Sequence, residues 1–234
     1  MIRFNKAISP IKVISFDLDD TLYDNRPIIK NAIQAQQTYL SNITEWADQP
    51  GDFWRTCRNE YAQQNPEIIN DVTLWRQKAL LWGLQTLKVN KASYHAEQAY
   101  NAFAQARSNI EVSVEVLDLL AALRKKYKVI AITNGNVDVS KFNLKNSFDL
   151  VLQAGPDGKA KPESDMFERA CKVLKVSASD ILHVGDSLDS DVQGANLAGC
   201  PSVWLTNTFT TYRYKGLANI EIDHVLELSH LICE

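Results

Sequence analysis

Short apolar runs alternate along this chain with longer stretches in which apolar residues recur at helical spacing. The short runs are mostly apolar rather than alternating, which is typical of strands buried on both faces of a parallel sheet. They cover residues 13–16, 129–132, 150–152, 181–184 and 202–205. Helices are predicted between them at 114–127, at about 163–174 behind Pro162, and from about 191 to Gly199. This alternation predicts an α/β core, a Rossmann-like parallel sheet with helices on both faces.

The segment from residue 24 to 109 lacks strand patterns and is helical in character. Breakers at Pro50–Gly51 and Asn65–Pro66 divide it into units. We therefore predict an all-helical cap at 24–109, inserted after the first strand, and a catalytic core made of residues 1–23 and 110–234. The alternative is a single α/β domain with an unusually helical first crossover. In the first case, the two closely spaced connections would form a natural hinge.

Composition agrees with a globular protein of one large domain or a domain with an insert. The 234 residues are 45% hydrophobic and 23% charged, and the net charge of −3 provides no basic surface for nucleic acid. No apolar run approaches the ~20 residues that span a bilayer, and the N-terminus lacks a signal-peptide core. We expect a cytoplasmic monomer or weak homodimer without a nucleic-acid or membrane partner. The separate cysteines predict reduced thiols rather than disulfides or a zinc site: Cys57, Cys171, Cys200 and Cys233.

Acidic clusters follow two of the predicted strands, as FDLDDTLYD at 16–24 and GDSLDSD at 185–191. Carboxylates this close repel one another, so a pKa should rise unless a cation is present. A solvated acidic turn would explain the first cluster alone. Because parallel strands end at one edge of a sheet, however, four side chains are expected to converge there: Asp17, Asp19, Asp186 and Asp191. Hard oxygen ligands of this kind suit Mg²⁺.

Complementary groups follow the other strands. Thr133 and Asn134 end one strand with a hydroxyl and an amide that suit phosphate oxygens. Lys161 supplies a single cation just before a helix, whose N-terminus also attracts anions. Carboxylates, a lysine, a hydroxyl and a magnesium ion together fit phosphoryl transfer to an aspartyl nucleophile. His183, within an apolar run, is expected to be a hydrogen-bonded core residue rather than a base.

The order DLDDT, TNG, KP and GDSLDSD resembles the haloacid dehalogenase superfamily, in its phosphatase branch. The resemblance covers the whole core, and the helical insert resembles the cap of that superfamily. It implies a Mg²⁺-dependent phosphomonoester hydrolase with an aspartyl-phosphate intermediate. Asp17 would be the nucleophile, and Asp19 would act as acid and then as base. Because a halide leaves without a proton donor, Asp19 favours phosphoryl transfer over dehalogenation.

The same resemblance assigns the remaining site residues. Thr133, Asn134 and Lys161 would bind the phosphate, and Asp191 would have a supporting role. The magnesium ligands would be Asp17, the backbone carbonyl of Asp19, and Asp186.

Longer segments resemble bacterial flavin-pathway phosphatases: FDLDDTLYDNRP, PEIINDVTLWR, AITNGN and AGPDGKAKPESDMF. This implies that 5-amino-6-(5-phospho-D-ribitylamino)uracil of riboflavin biosynthesis is the substrate, and that FMN is also cleaved. A phosphatase or mutase of sugar phosphates or other small phosphorylated metabolites is the alternative on the same core. A non-catalytic protein that kept the fold is disfavoured, because the motif residues are intact. Arg26, Trp75 and Arg76 are candidate substrate contacts in the insert.

Overall fold

A seven-stranded sheet is built from residues that lie before and after a long helical segment of the chain. The computed structural model describes residues 2–206 and 216–231. The chain divides into a sheet unit, Met1–Asp24 with Glu111–Glu234, and a helical unit, Asn25–Ile110.

The sheet combines the five predicted strands with two further short strands, which lie next to each other at one end of the strand order. In chain order they are β1 Arg3–Phe4, β2 Val13–Phe16, β3 Lys128–Thr133, β4 Leu150–Gln153, β5 Ile181–Gly185, β6 Ser202–Leu205 and β7 Ile220–Ile222. Their spatial order is β1-β7-β6-β5-β2-β3-β4. All neighbours are parallel except β1 and β7, which pair antiparallel, so the sheet is mixed at one edge. These two strands are too short for their apolar pattern to predict them.

The described part of the sheet unit contains three α-helices: α6 Val114–Leu123, α7 Asp165–Leu174 and α8 Gln193–Ala198. Helix α6 begins after Ser113, whose Oγ accepts a hydrogen bond from the N–H of Val116 (3.4 Å). Helix α7 begins three residues after Pro162, so this proline precedes the helix instead of opening it as predicted. Helix α8 follows a π-helical turn at Leu188–Val192. Shorter 3₁₀ turns lie at Val139–Lys141, Ala178–Asp180 and Val225–Leu231.

The core of the sheet unit is formed by the central strands and α7. Every residue of β2 and β5 is buried, as expected for parallel strands with both faces covered. One side of the sheet packs against Met166, Phe167 and Ala170 of α7, which are fully buried. Well-packed central strands give the loops at their ends a rigid base.

The helical unit contains no strand, and all of its residues are described. Its helices are α1 Asn25–Leu40, α2 Thr44–Ala47, α3 Phe53–Gln64, α4 Val72–Thr86 and α5 Ala92–Arg107, with a 3₁₀ turn at Pro66–Asn70. Its own core includes the buried side chains of Trp46, Trp54, Leu80 and Leu84.

Helices α1 and α5 of the helical unit run antiparallel. Tyr39, near the end of α1, is hydrogen-bonded through its hydroxyl to Nδ1 of His95, near the start of α5 (2.9 Å). The first residue of α1 and the last residue of α5 therefore lie at the same end of this helix pair.

Within the described ranges, no helix is both long and apolar enough to cross a membrane. Cys57, Cys171 and Cys200 are free thiols, as their spacing predicts, whereas Cys233 lies outside the described residues.

Candidate active site

Asp17 directly follows β2 and is held at the C-terminal end of the sheet. Its N–H donates to the carbonyl of Val184 (2.8 Å), which extends the pairing of β2 with β5. The side chain is buried, and Oδ1 accepts a hydrogen bond from Nζ of Lys161 (2.8 Å). Burial raises the pKa of Asp17 to about 8; Lys161 opposes this rise, and the charge of Asp191 adds to it.

Lys161 is a buried cation with three hydrogen-bond acceptors. Its Nζ donates to Oδ1 of Asp17 (2.8 Å), to Oδ1 of Asp191 (2.6 Å) and to the carbonyl of Ile132 (2.6 Å). Every ammonium proton therefore has an acceptor. Burial alone would lower the pKa of Lys161, but the two carboxylates outweigh burial and raise it. The side chain stays charged between the two acids.

Asn134 holds the backbone of Lys161. Its Nδ2 donates to the Lys161 carbonyl (2.9 Å), and its Oδ1 accepts from the Lys161 N–H (2.7 Å). Nδ2 has a second N–H besides the one that this bond uses, so the phosphate contact that the sequence predicts for this side chain stays a prediction. Thr133 is buried beside it, and its Oγ1 accepts from the N–H of Gly135 (2.9 Å), which leaves the hydroxyl proton to be donated.

Asp191 lies in the π-helical turn after β5, and both of its oxygens are bonded. Oδ1 faces Nζ of Lys161 and Nε2 of His183 (3.2 Å), and Oδ2 accepts from the N–H of Ser187 (2.9 Å). Burial would raise the pKa of Asp191, but Lys161 and the hydrogen bond from His183 overcome burial and lower it. Asp191 is therefore a buried, ionised partner of the lysine.

Asp186 lies at the edge of the same cluster. Burial raises its pKa to about 7, and the charges of Asp191 and Asp20 add to the rise. Its carbonyl accepts a hydrogen bond from Nε1 of Trp204 (2.9 Å), which anchors the loop after β5. Carboxylate oxygens of Asp17, Asp186 and Asp191 all lie within 4.8 Å of one another, so this cluster could hold a metal ion. A cation bound among these carboxylates would favour their ionised forms and lower the two raised pKa values.

Asp19 lies in the loop after Asp17, outside the cluster of three acids. Its Oδ1 accepts a hydrogen bond from the hydroxyl of Tyr23 (2.7 Å). Between them the chain turns at Asp20, which has a left-handed φ of 59°, a conformation that aspartate tolerates better than most residues. Gly135 lies close by, and a Cβ there would come within 2.7 Å of Oδ2 of Asp19.

The structure thus brings Asp17, Lys161, Asp186 and Asp191 together. Asn134 is bonded to the lysine backbone, Thr133 ends β3, and Asp19 lies in the loop after β2. Apolar patterns do not reveal several residues that complete this arrangement: Ser15, Tyr23, Gly135, Gly185 and Trp204. A Cβ on Gly185 would overlap the carboxyl group of Asp191. The one signal for the two glycines is their position beside the acidic and polar ends of β5 and β3.

Residues 11–199 match the haloacid dehalogenase-like hydrolase family. The chain is 37% identical to 5-amino-6-(5-phospho-D-ribitylamino)uracil phosphatase YigB of Escherichia coli (strain K12), over 98% of this chain and 100% of the relative. It is 27% identical to glyceraldehyde 3-phosphate phosphatase of Pyrococcus furiosus, over 96% and 90% of the two chains. The crystal structure of a 2-haloacid dehalogenase from Pseudomonas syringae pv. tomato DC3000 superposes with a TM-score of 0.88 at 28% identity, over 95% and 98%. The chain therefore belongs to the haloacid dehalogenase-like hydrolase family of enzymes.

Proposed function

We propose that this enzyme is a Mg²⁺-dependent phosphatase that hydrolyses 5-amino-6-(5-phospho-D-ribitylamino)uracil in riboflavin biosynthesis, and also FMN. The near full-length 37% identity to a phosphatase of that name supports the substrate. The chemistry rests on one observation, the buried ion pair between Asp17 and Lys161 at the end of the parallel strands.

In the first step, Asp17 attacks phosphorus with the carboxylate oxygen that Lys161 does not hold. A bond forms between this oxygen and phosphorus while the ester P–O bond breaks, which leaves an aspartyl phosphate and an alkoxide. Lys161 offsets the negative charge of the phosphate, which would otherwise repel the carboxylate. Asp19 gives a proton to the alkoxide, a contribution of roughly 10²–10⁴ in rate for a basic leaving group.

In the second step, water attacks phosphorus and Asp19 takes its proton. The bond between phosphorus and Asp17 breaks, and inorganic phosphate leaves. The hydroxyl proton of Thr133 is directed to a phosphoryl oxygen in both steps. The enzyme thus returns to its starting protonation state.

The acidic cluster fits a hard divalent cation, because its donors are carboxylate oxygens with raised pKa values. Asp17, the carbonyl of Asp19, and Asp186 would hold Mg²⁺, which supplies positive charge against the phosphate dianion when bound. Asp191 has both oxygens occupied by protein donors and supports Lys161 instead.

The helical unit is the proposed cap and the source of selectivity for the leaving group. Two of the candidate contacts are engaged inside this unit. Nε1 of Trp75 donates to the carbonyl of Arg58 (3.0 Å), and Arg76 is buried, donates to Oε1 of Gln36 (2.8 Å) and stacks on Phe103. Trp75 and Arg76 therefore contribute to the packing of the cap. Arg26, near the start of α1, is the third candidate contact.

A sugar phosphate is the second candidate substrate, because the chain is also similar to glyceraldehyde 3-phosphate phosphatase. Dehalogenation is not favoured despite the close superposition on a 2-haloacid dehalogenase. A halide needs no proton donor on departure, whereas Asp19 stands beside the nucleophile with its carboxyl held by Tyr23.

The test compares kcat/KM for ribitylaminouracil phosphate, FMN and glyceraldehyde 3-phosphate, with Mg²⁺ and with EDTA. We expect the ribitylaminouracil phosphate to be the best substrate, free phosphate as product, and no turnover in EDTA or by Asp17→Asn. A kcat/KM for the sugar phosphate that is tenfold or more above that for ribitylaminouracil phosphate would overturn the proposed substrate. Release of an isomerised sugar phosphate, or an active Asp17→Asn variant, would overturn the reaction.

A further inference from the structure

A fully buried histidine lies behind the lysine of the proposed active site. His183 on β5 is directly opposite Ser15 on β2, and both side chains are completely inaccessible to solvent. Oγ of Ser15 and Nδ1 of His183 are 2.8 Å apart, and Nε2 of His183 lies 3.2 Å from Oδ1 of Asp191. The ring of Phe167 packs edge-on against the imidazole, with 5.0 Å between centroids.

These partners determine which ring nitrogen carries the proton. Asp191 is an ionised carboxylate and can only accept, so Nε2 of His183 donates to it. Burial lowers the pKa of His183, which keeps the ring neutral with a single proton. Nδ1 is therefore an acceptor, and the hydroxyl of Ser15 donates to it.

The carboxylate that receives this hydrogen bond also holds the lysine. Oδ1 of Asp191 accepts from His183 and from Nζ of Lys161 (2.6 Å), and Oδ2 is fixed by the N–H of Ser187. Lys161 in turn contacts the nucleophile Asp17. A continuous series of hydrogen bonds thus runs from the interior of the sheet to the carboxylate that would attack phosphorus.

We propose that Ser15 and His183 form a positioning pair, which orients the carboxylate of Asp191 so that it places Lys161 against the nucleophile. This inference rests on the proposed function, since it assigns the pair a part in phosphoryl transfer. Neither residue touches the reacting atoms. Their contribution is the accuracy with which the ammonium group is held, and a displacement of about 1 Å can cost on the order of 10²-fold in rate.

Two substitutions of His183 separate the hydrogen bond from the packing. The amide nitrogen of a glutamine reaches the position of Nε2, so His183→Gln keeps a donor to Asp191. The shorter asparagine reaches only the position of Nδ1, so His183→Asn keeps a partner for Ser15 and loses that donor. We expect kcat of the Mg²⁺-loaded enzyme to fall by roughly 10–100-fold in His183→Asn and by less than about 3-fold in His183→Gln.

Phe167→Leu is the matched control, because it loosens the packing around the imidazole without changing a polar group. It should lower Tm by about as much as His183→Asn does and leave kcat within about 3-fold of the wild type. Equal losses of kcat in the Asn and Gln variants, or a comparable loss in Phe167→Leu, would overturn the positioning role.

A measurement on the unmodified enzyme keeps the inference testable if a variant does not fold. Long-range ¹H–¹⁵N correlation spectra should show His183 neutral with its proton on Nε2, and a proton on Nδ1 would overturn the assignment. If the wild type is active but His183→Asn and His183→Gln have the same kcat, only the positioning pair is contradicted. A wild type that cleaves no phosphate ester contradicts the proposed function, while the spectra still judge the hydrogen bonds.

Discussion

At the scale of single residues, two glycines give acidic side chains the space that they occupy. The carboxyl group of Asp191 fills the position that a Cβ of Gly185 would take. Oδ2 of Asp19 lies 2.7 Å from the position that a Cβ of Gly135 would take. Neither glycine has the left-handed φ that would require this residue for backbone reasons. Substitution by alanine therefore tests the placement of each carboxylate without removing a polar group.

Gly185→Ala should displace Asp191 and, with it, Lys161. We expect kcat to fall by at least about 100-fold and the free energy of unfolding to fall by about 1–3 kcal/mol. Steady-state kinetics and urea denaturation measure the two effects. Gly51→Ala is the control, because nothing lies within 4 Å of the added methyl group. Activity of Gly185→Ala close to that of Gly51→Ala would contradict the role of Asp191.

Gly135→Ala should act on proton transfer, because its methyl group displaces the carboxyl of Asp19. Alkyl phosphates need a proton on the leaving oxygen, whereas activated aryl phosphates with acidic leaving groups do not. We expect kcat/KM to fall roughly tenfold or more for an alkyl ester and by less than about threefold for an activated aryl ester. Equal losses on both esters would contradict a selective effect on proton transfer and would point instead to Oγ1 of Thr133, which lies 3.2 Å from the added methyl group.

At the scale of elements, two helices of the helical unit begin differently. Asp71 caps α4, since its Oδ1 accepts from the N–H of Leu74 (2.9 Å). Asp52 precedes α3 in the same way, but it makes no cap hydrogen bond and instead pairs with exposed Arg55. An exposed ion pair of this kind contributes little to stability.

The two aspartates provide a matched pair of substitutions. Asp71→Ala should lower the free energy of unfolding by about 1 kcal/mol, because it leaves an amide at the start of α4 without its acceptor. Asp52→Ala should change it by less than about 0.5 kcal/mol. Chemical denaturation followed by circular dichroism compares the two. A larger loss in Asp52→Ala would be inconsistent with the cap.

The strength of a local pattern decided which elements the sequence could predict. Runs of four or more buried residues, such as Val13–Phe16, are recognisable as strands from their apolar pattern. Arg3–Phe4, in contrast, becomes a strand only through its pairing with Ile220–Ile222. Pro162 resembles a helix start, but the backbone of the preceding Lys161 is hydrogen-bonded to Asn134 in the candidate site. Helix α7 therefore begins only at Asp165. The π-helical turn likewise has no local signal.

The same limit applies to the site. That Asp17 and Asp186 meet follows from the sequence, because parallel strands end at one edge. The partners of Asn134 and His183 do not follow, since they depend on which strands are neighbours and in which register. His183 meets Ser15 only because β5 pairs with β2 at that position.

At the scale of the whole molecule, the acidic cluster makes stability depend on pH. Asp17 and Asp186 have pKa values of about 8 and about 7 in the folded protein, against an ordinary value of 3.8. The folded state therefore keeps protons that the unfolded chain has lost, and stability falls as pH rises until both folded pKa values are passed. The lowered pKa values of Asp191 and His183 have the opposite effect. Stability falls as pH decreases below about 4 for Asp191 and below about 6.5 for His183.

In EDTA, we expect Tm to fall by on the order of 5 °C between pH 6.5 and pH 8. Mg²⁺ should abolish this decline, because a cation favours the ionised carboxylates, and its apparent affinity should increase over the same range. Differential scanning fluorimetry across pH with and without Mg²⁺ measures both effects. A metal-free Tm that rises from pH 6.5 to pH 8 would contradict the raised pKa values.

The antiparallel pairing of α1 with α5 has an evolutionary consequence. Because the helical unit starts and finishes at one end of this helix pair, a single recombination event could replace residues 25–110 by another segment whose ends are equally close. Asp17, Lys161 and the acidic cluster all lie outside that interval. On the proposed role of the helical unit in substrate selectivity, descendants could acquire new substrates by exchanging this segment while they inherit the residues of the sheet unit unchanged.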